Sequence, residues 1–342
     1  MRAGLAGFTG GGKSTVFQLL TGAKPDPGKV FSGQVGTAVL RDPRLERLAD
    51  WYKPRNRKIT PASMELVDTP GLIQGSHGDN PQRLALIREA DALVVILDGF
   101  SGANPVNDLA AFREELLFAD LSVVTNRAER LEASVKKHRP DWEVQQKELE
   151  LVQRVKAALE EGRAVAELNL SAEEKKPMRS FGLLTDKPQV IVLNGPTDAG
   201  VPESLRAMAP NTLALDAKLE LELEEMAEEE RTAFMEDLGI TQLGRGRLIR
   251  AAYDAMGMIS FFTAGDPEVR AWNLEAGSNA VEAAGKIHTD LAKGFIRAEV
   301  LAYDDLLACD SVKEAKAQNK TRLEGKDYIV KDGDIIYFRS NA

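Results

Sequence analysis

Hydrophobic positions along the chain follow two different periods. Short apolar runs at residues 2–6, 64–67, 93–97 and 190–193 each end at a polar or glycine-bearing turn. Their spacing predicts buried parallel strands alternating with helices, one of them over 14–20. In such an open sheet the carboxyl ends of the strands line one crevice, so Asp68, Asp98 and Asn194 are expected on one side. Between Asp98 and Val190 the period changes. Leu117, Leu121, Val124, Ala128, Leu131 and Val135 recur at steps of four and three, the seam of a coiled coil. Pro140 and Asp141 break it, and a second arm carrying Leu149, Val152, Val155 and Leu159 returns. Leu117–Asp186 therefore reads as an antiparallel helical hairpin growing out of the sheet. An acidic stretch over 216–231 and a helix with Leu248, Ile249 and Ala252 follow. Near Met258 the texture changes again: Ile259–Thr263, Val269–Leu274, Phe295–Leu301 and Tyr328–Phe338 (broken at 332–334) predict short strands, and Ala280–Ile287 a helix. Strands wrapping one helix suggest a small module of the β-grasp kind.

The 342 residues are enough for two or three domains. A net charge of −9 with a pI near 5.2 argues against a protein that coats nucleic acid by bulk electrostatics. The segment from Met258 onward, with 11 Lys/Arg against 14 Asp/Glu, is no exception. Lys136-Lys137-His138-Arg139, at the expected hairpin tip, is basic in this acidic chain and reads equally as a solvated helix end or a docking surface. One cysteine, Cys309, excludes an internal disulfide and any multi-cysteine zinc site; it is expected to be a small buried residue. The N-terminus reads as a strand, and the longest apolar runs, such as Ala92–Leu97, are too short to span a bilayer. A soluble, cytoplasmic protein without a membrane partner is expected.

Candidate chemistry begins in the first turn. Gly7-Phe8-Thr9-Gly10-Gly11-Gly12-Lys13-Ser14-Thr15 fits G-x-x-x-x-G-K-S between a strand and a helix. Glycines let backbone N–H groups close around polyphosphate oxygens, Lys13 supplies a point charge, Ser14 a hydroxyl for Mg²⁺, and the helix aims its positive end at the anion. Asp68-Thr69-Pro70-Gly71 matches D-x-x-G, in which Asp68 holds Mg²⁺ through water and the Gly71 N–H meets the γ-phosphate. Leu72 stands where many GTPases carry a glutamine that orients the attacking water. An apolar side chain cannot do that, so slow intrinsic turnover is expected. His77, on the stretch that follows, is a candidate catalytic group beside Lys13 and Gly71, although a loop histidine is more often merely solvated.

Beyond these motifs the chain resembles the Obg-like ATPases of the YchF type. The resemblance rests on the loop, Asp68–Leu72, Asp42-Pro43-Arg44-Leu45, Ala119-Asp120-Leu121, Phe261-Phe262-Thr263-Ala264-Gly265 and Val269-Arg270-Ala271-Trp272. It extends to 285–290, 293–300 and 323–328. It implies an α/β fold in three parts: a P-loop NTPase domain over 1–116 and 187–257, an inserted coiled-coil hairpin over 117–186, and a TGS-like β-grasp domain over 258–342. It also implies a preference for ATP over GTP and association with ribosomes, an RNA-containing partner met through the hairpin and C-terminal domain. Four departures mark a divergent paralogue. Thr9-Gly10 replace the family's Pro-Asn, which weakens the argument for a potassium ion. Val30 stands where a Mg²⁺-contacting threonine is expected, leaving Ser32 or Thr37 as the nearest hydroxyls. The stretch Gly99–Pro105 is shorter than the family's histidine-bearing loop. At the base, Asn194-Gly195-Pro196-Thr197-Asp198 satisfies neither N-K-x-D nor N-x-x-E, while Asp216-Ala217-Lys218 resembles S-A-K, whose backbone N–H reads the base edge. Asn194 and the Ala217 amide are thus the expected base-side groups, and ATP is expected to bind at least as tightly as GTP. A GTPase, or a nucleotide-sensing adaptor with little hydrolysis, are the alternatives.

Overall fold

The structure is a computed structural model that describes all residues except 30–31, 54–56, 77, 138–139, 197–198, 310 and 342. Its strands are β1 (Arg2–Ala6), β2 (Gln34–Leu40), β3 (Ile59–Thr60), β4 (Ala62–Asp68), β5 (Ala92–Asp98), β6 (Gln189–Asn194), β7 (Leu213–Leu215), β8 (Met258–Ala264), β9 (Val269–Glu275), β10 (Phe295–Ala302), β11 (Arg322–Glu324) and β12 (Asp334–Ser340). They form two sheets, ordered β2-β4-β1-β5-β6-β7 and β11-β10-β12-β8-β9-β3. The chain divides into two compact units, Met1–Gly36 with Glu65–Arg245, and Thr37–Met64 with Gly246–Ala342.

In the first unit β4, β1, β5, β6 and β7 run parallel, with Leu5 beside Asp68, Ala6 beside Val95 and Asp98 beside Asn194. The three polar strand ends therefore fall on one side, as the apolar runs predict. The expectation omits β2 and β7: β7 is only three residues long, and β2 alternates exposed with half-buried positions, so neither makes a long apolar run.

The helix Pro105–Val135 starts twelve residues before the expected hairpin. Asn104 caps it by accepting from the amides of Val106 and Asn107, with Pro105 at the first helical position. Its first half buries Leu109, Phe112 and Leu116 against strand residues such as Leu93 and Val95. Its second half places Val124, Ala128 and Leu131 against Leu149, Val152, Val155 and Leu159 of the helix Trp142–Glu160. The seam read from the sequence is thus the packing surface of a helical hairpin, but the helix that carries it is continuous with the sheet's cover.

Asp120 sits where the helix changes partners, fully buried. It accepts from Arg88 Nη1 at 2.9 Å, the Leu184 amide at 3.0 Å, and the amide and hydroxyl of Thr185 at 2.7 and 2.9 Å. Arg88 also donates to the carbonyls of Ala119 and Gly182. One carboxylate therefore joins the helix to the chain returning from the hairpin.

In the second unit the helix Ala280–Ile287 packs Ala280, Ala283 and Ala284 against Phe261, Leu274, Phe295, Val300, Ile336 and Phe338. The expected helix is thus packed on the sheet, and the same stretch adds three short helices that the sequence reading omits, Thr289–Lys293, Tyr303–Leu307 and Val312–Ala317. The unit also includes 37–64 and 246–257, which the sequence partition gives to the nucleotide domain. The reasons are specific. β3 pairs in parallel with β9, and Arg44, whose amide donates to Asp42, the N-cap of its helix, also donates from its guanidinium to Asp332 at 2.7 Å and lies 5.2 Å from the Phe262 ring centre. The Tyr253 hydroxyl donates to the carbonyl of Ile259 at 2.6 Å. Cys309 is buried, as expected, and free.

Because Asp120 is the shared acceptor of one cation and two buried amides, Asp120→Ala should cost about 3–5 kcal/mol of stability. Asp120→Asn, which keeps an acceptor, should cost less. Urea unfolding of the three proteins checks this, and equal midpoints would show that the junction does not depend on the carboxylate.

Candidate functional site

The turn from β1 into the helix Lys13–Thr21 uses glycine where no other residue fits. Gly7 has φ 132° and Gly12 φ 85°. A Cβ on Gly7 would strike the Ile96 carbonyl, and one on Gly12 would strike Nδ2 of Asn194. The loop therefore lies directly on the carboxyl ends of β5 and β6. Gly12 is also the helix N-cap, and without a side chain it leaves the first-turn amides free of a cap. Those amides, at the positive end of the helix dipole, make an anion site.

Lys13 is 6% exposed, and its Nζ donates to the Phe8 carbonyl at 2.8 Å. Burial pushes its amine down to about 8, opposed by the nearby Asp68 carboxylate and aided by the Arg83 charge. Ser14 Oγ donates to Asp68 Oδ2 at 2.7 Å. Burial raises the Asp68 carboxyl above its ordinary range, with the Ser14 hydrogen bond and the Lys13 charge pulling the other way. Asp68 Oδ1 is buried and accepts no hydrogen bond. A hydroxyl and a carboxylate with an unused oxygen are the hard donors a divalent cation takes.

The strap after Asp68 is stitched to the loop by its backbone. The Thr9 amide donates to the Leu72 carbonyl and the Leu72 amide to the Gly7 carbonyl, both at 3.0 Å. A Cβ on Gly71 would approach Lys13 Nζ and the Thr9 amide nitrogen to 2.6 Å, so glycine is required at this contact. Leu72 is buried in the core with Phe112 and Leu93. The expectation that it orients no water is thereby given a geometric cause.

Thr9, Gly10, Gly12, Lys13, Ser14, Thr15, Asp68 and Gly71, all singled out from the sequence, line one cavity of about 460 Å³. Gly7 and Gly11 are not among its walls; they form the loop's seat, Gly11 with its Cβ position 3.2 Å from the Ile96 carbonyl. Sequence reasoning did not single out Asp26, Lys29 and Gln34, which complete the cavity. Gln34 fixes that segment by accepting from the Asp26 amide and donating to the Lys24 carbonyl. Only the closeness of this segment to the loop in sequence could have flagged it. Of the two hydroxyls offered in place of Val30, Ser32 donates to the Lys29 carbonyl of its own turn at 3.5 Å, and Thr37 falls in the second unit. Val30 itself, His77, Thr197 and Asp198 lie outside the described residues.

On the base side the geometry differs from expectation. Asn194 is buried, donating from Nδ2 to the Gly11 carbonyl and accepting at Oδ1 from the Ala217 amide, each at 3.1 Å. The Ala217 N–H expected at the base edge is thus engaged by Asn194, and Asn194 acts here as a pin between two loops.

Residues 2–127 match a family described as "50S ribosome-binding GTPase", and residues 258–341 match YchF-GTPase_C, described as a protein of unknown function. The chain is similar to the "Ribosome-binding ATPase YchF" of Bacillus subtilis, 34% identical over 369 residues and covering 100% of both chains. It is 35% identical to the protein of that name from Escherichia coli O157:H7, covering 100% of this chain and 99% of that one. The solved structure of the Schizosaccharomyces pombe YchF GTPase superposes with a TM-score of 0.86 at 25% identity, over 99% of this chain and 97% of that one. With its phosphate loop, its D-x-x-G strap and likeness along its whole length, the chain belongs to the YchF family of P-loop nucleoside triphosphatases.

Proposed function

We propose that this protein is a nucleotide-dependent switch that binds ATP with Mg²⁺, hydrolyses it slowly, and works in association with the ribosome in the cytoplasm. The observation that carries the reading is the meeting of Lys13, Ser14, Asp68 and Gly71 on one cavity beside an uncapped helix N-terminus. The ribosome is suggested by the relatives, which are named ribosome-binding ATPases, and ATP in preference to GTP by the same relatives and by the chain's departure from N-K-x-D. The fit to Mg²⁺ rests on the unused buried Oδ1 of Asp68 and its 2.7 Å contact with Ser14. Ser14 and Asp68 would hold the ion, which supplies charge neutralisation at the β- and γ-phosphates. With Asp68 as the carboxylate that meets Ser14, phosphate oxygens and water would complete its shell.

The chain's own residues divide the work. Loop amides and the helix end bind the phosphates, Lys13 places a charge at their terminal end, and the Gly71 N–H faces the transferred group. Leu72 excludes water from the core side and cannot orient a nucleophile, which makes turnover slow. His77 is a candidate catalytic group on the following stretch. Lys136 and Lys137 near the hairpin tip, with the TGS-like C-terminal module, are the proposed ribosome-facing elements.

Lys13→Ala should weaken ATP binding at least about a hundredfold, the worth of two charge-assisted hydrogen bonds, with unchanged circular dichroism. Unaltered affinity in the folded variant would sink the site assignment. Asp68→Asn should keep most of the affinity for nucleotide while losing Mg²⁺-dependent hydrolysis, read by phosphate release over a Mg²⁺ titration; wild-type rates would remove the metal role. Reversing Lys136 and Lys137 to Glu should lower co-sedimentation with ribosomes and leave ATP affinity intact. Equal pelleting would dismiss the tip.

A further inference from the structure

The helix Asn80–Ala85 carries two polar side chains three residues apart, which places them on one face. Both reach the strap. Asn80, fully buried, accepts from the Ile73 amide at 3.0 Å and donates to the Ile73 carbonyl at 2.9 Å. Arg83 donates from Nη1 to the Gly71 carbonyl at 2.6 Å. Thr9 Oγ1 donates towards the same carbonyl at 3.3 Å and towards that of Leu72 at 3.2 Å.

The peptide joining Gly71 to Leu72 is consequently held at both ends. Its oxygen takes the Arg83 guanidinium and its N–H donates to Gly7. Such a peptide cannot rotate without breaking a charge-assisted bond. Gly71 itself has no side chain with which to fix its conformation, yet it stands against Lys13 Nζ and the Thr9 amide. Its own N–H belongs to the preceding peptide, so once the Gly71–Leu72 peptide is held, the φ and ψ of Gly71 are what set where that N–H points. The guanidinium is also close enough to Lys13 for the two charges to act on one another, so it adds positive potential at the terminal-phosphate end of the cavity.

We infer that Arg83 is a positioning residue for the terminal phosphate: by holding the Gly71 carbonyl it aims the Gly71 N–H at the γ-phosphoryl group and makes the site prefer a triphosphate over a diphosphate. This deepens the reading of the chain as an ATPase and rests on it. Nothing in the sequence motifs marks Arg83, because it lies outside both G-x-x-x-x-G-K-S and D-x-x-G. The mechanism also differs from that of a water-orienting side chain. Arg83 acts through the backbone of the strap, which suits a chain whose Leu72 is turned into the core.

The test measures the affinity of the full chain for ADP and for a non-hydrolysable ATP analogue, each with Mg²⁺, in the wild type, Arg83→Ala and Arg83→Lys, with kcat and KM for ATP alongside. Arg83→Ala should lose about tenfold or more in affinity for the triphosphate analogue and in kcat, while ADP affinity stays within about twofold of wild type. Arg83→Lys, which keeps a charge and one donor, should recover part of both losses. The unchanged ADP affinity reports an intact fold. If both nucleotides weaken together, or neither weakens, Arg83 is a structural tie and the inference fails. If the wild type binds neither nucleotide, the ATPase reading itself fails, so the two failures are told apart.

Discussion

A single buried amide holds the nucleotide side of the first unit in register. Asn194 ends β6, and its two polar atoms are spent in opposite directions, Nδ2 on the Gly11 carbonyl and Oδ1 on the Ala217 amide. An amide has a donor end and an acceptor end, so these bonds fix its orientation. Leaving either group unpaired away from water would cost about 1–3 kcal/mol. The phosphate loop is thereby tied to the turn that starts the helix Ala217–Glu225, which Asp216 caps by accepting from the Leu219 amide. Gly12 is the complement of this pin: its missing Cβ is the space that Asn194 Nδ2 fills. The loop's glycines thus serve two demands, close approach of phosphate and close approach of the sheet's own end.

How much of this was readable depended on whether a feature was local. The loop, Asp68 and Gly71 were legible because each chemical role needs a residue type at a fixed spacing, and the strands they terminate are continuous apolar runs. The hairpin seam was legible for the same reason of period. What escaped was made by distant partners. Arg83 meets Gly71 across twelve residues and Asp120 meets Thr185 across sixty-five, and neither pair leaves a repeating mark in the sequence. Asn194 stands out in the sequence, but its contacts are not foreseeable there, since an asparagine near a base and an asparagine pinning two loops look alike in sequence.

The grouping of 37–64 with the C-terminal residues has the same origin. Asp332 accepts from Arg44 and from the Ser260 amide at 2.8 Å, and these ties hold its carboxyl below the ordinary carboxylate range despite burial. The tie spans 288 residues between Arg44 and Asp332. A chain that leaves a sheet through β2 and returns through β4 looks like a long internal connection. In the structure that connection supplies a helix and the strand β3 to another sheet. Removing residues from Met258 onward would therefore strip 37–64 of its partners, so such a truncation is not a clean probe of the C-terminal module.

Leu72 shows how one position answers to core and chemistry at once. Its backbone closes the bridge between strap and loop, accepting from Thr9 and donating to Gly7, and that pairing directs its side chain into the cluster around Phe112. Burying a leucine there contributes about 1.5–3 kcal/mol. A glutamine in the same backbone setting would carry its amide into an apolar site with no partner, an unfavourable exchange by a similar amount. The strap is thus built to be held by its backbone and by side chains of the following helix. On the proposed reading, its phosphate chemistry would fall to peptide groups and to cations that reach them, while the Leu72 side chain is committed to the core.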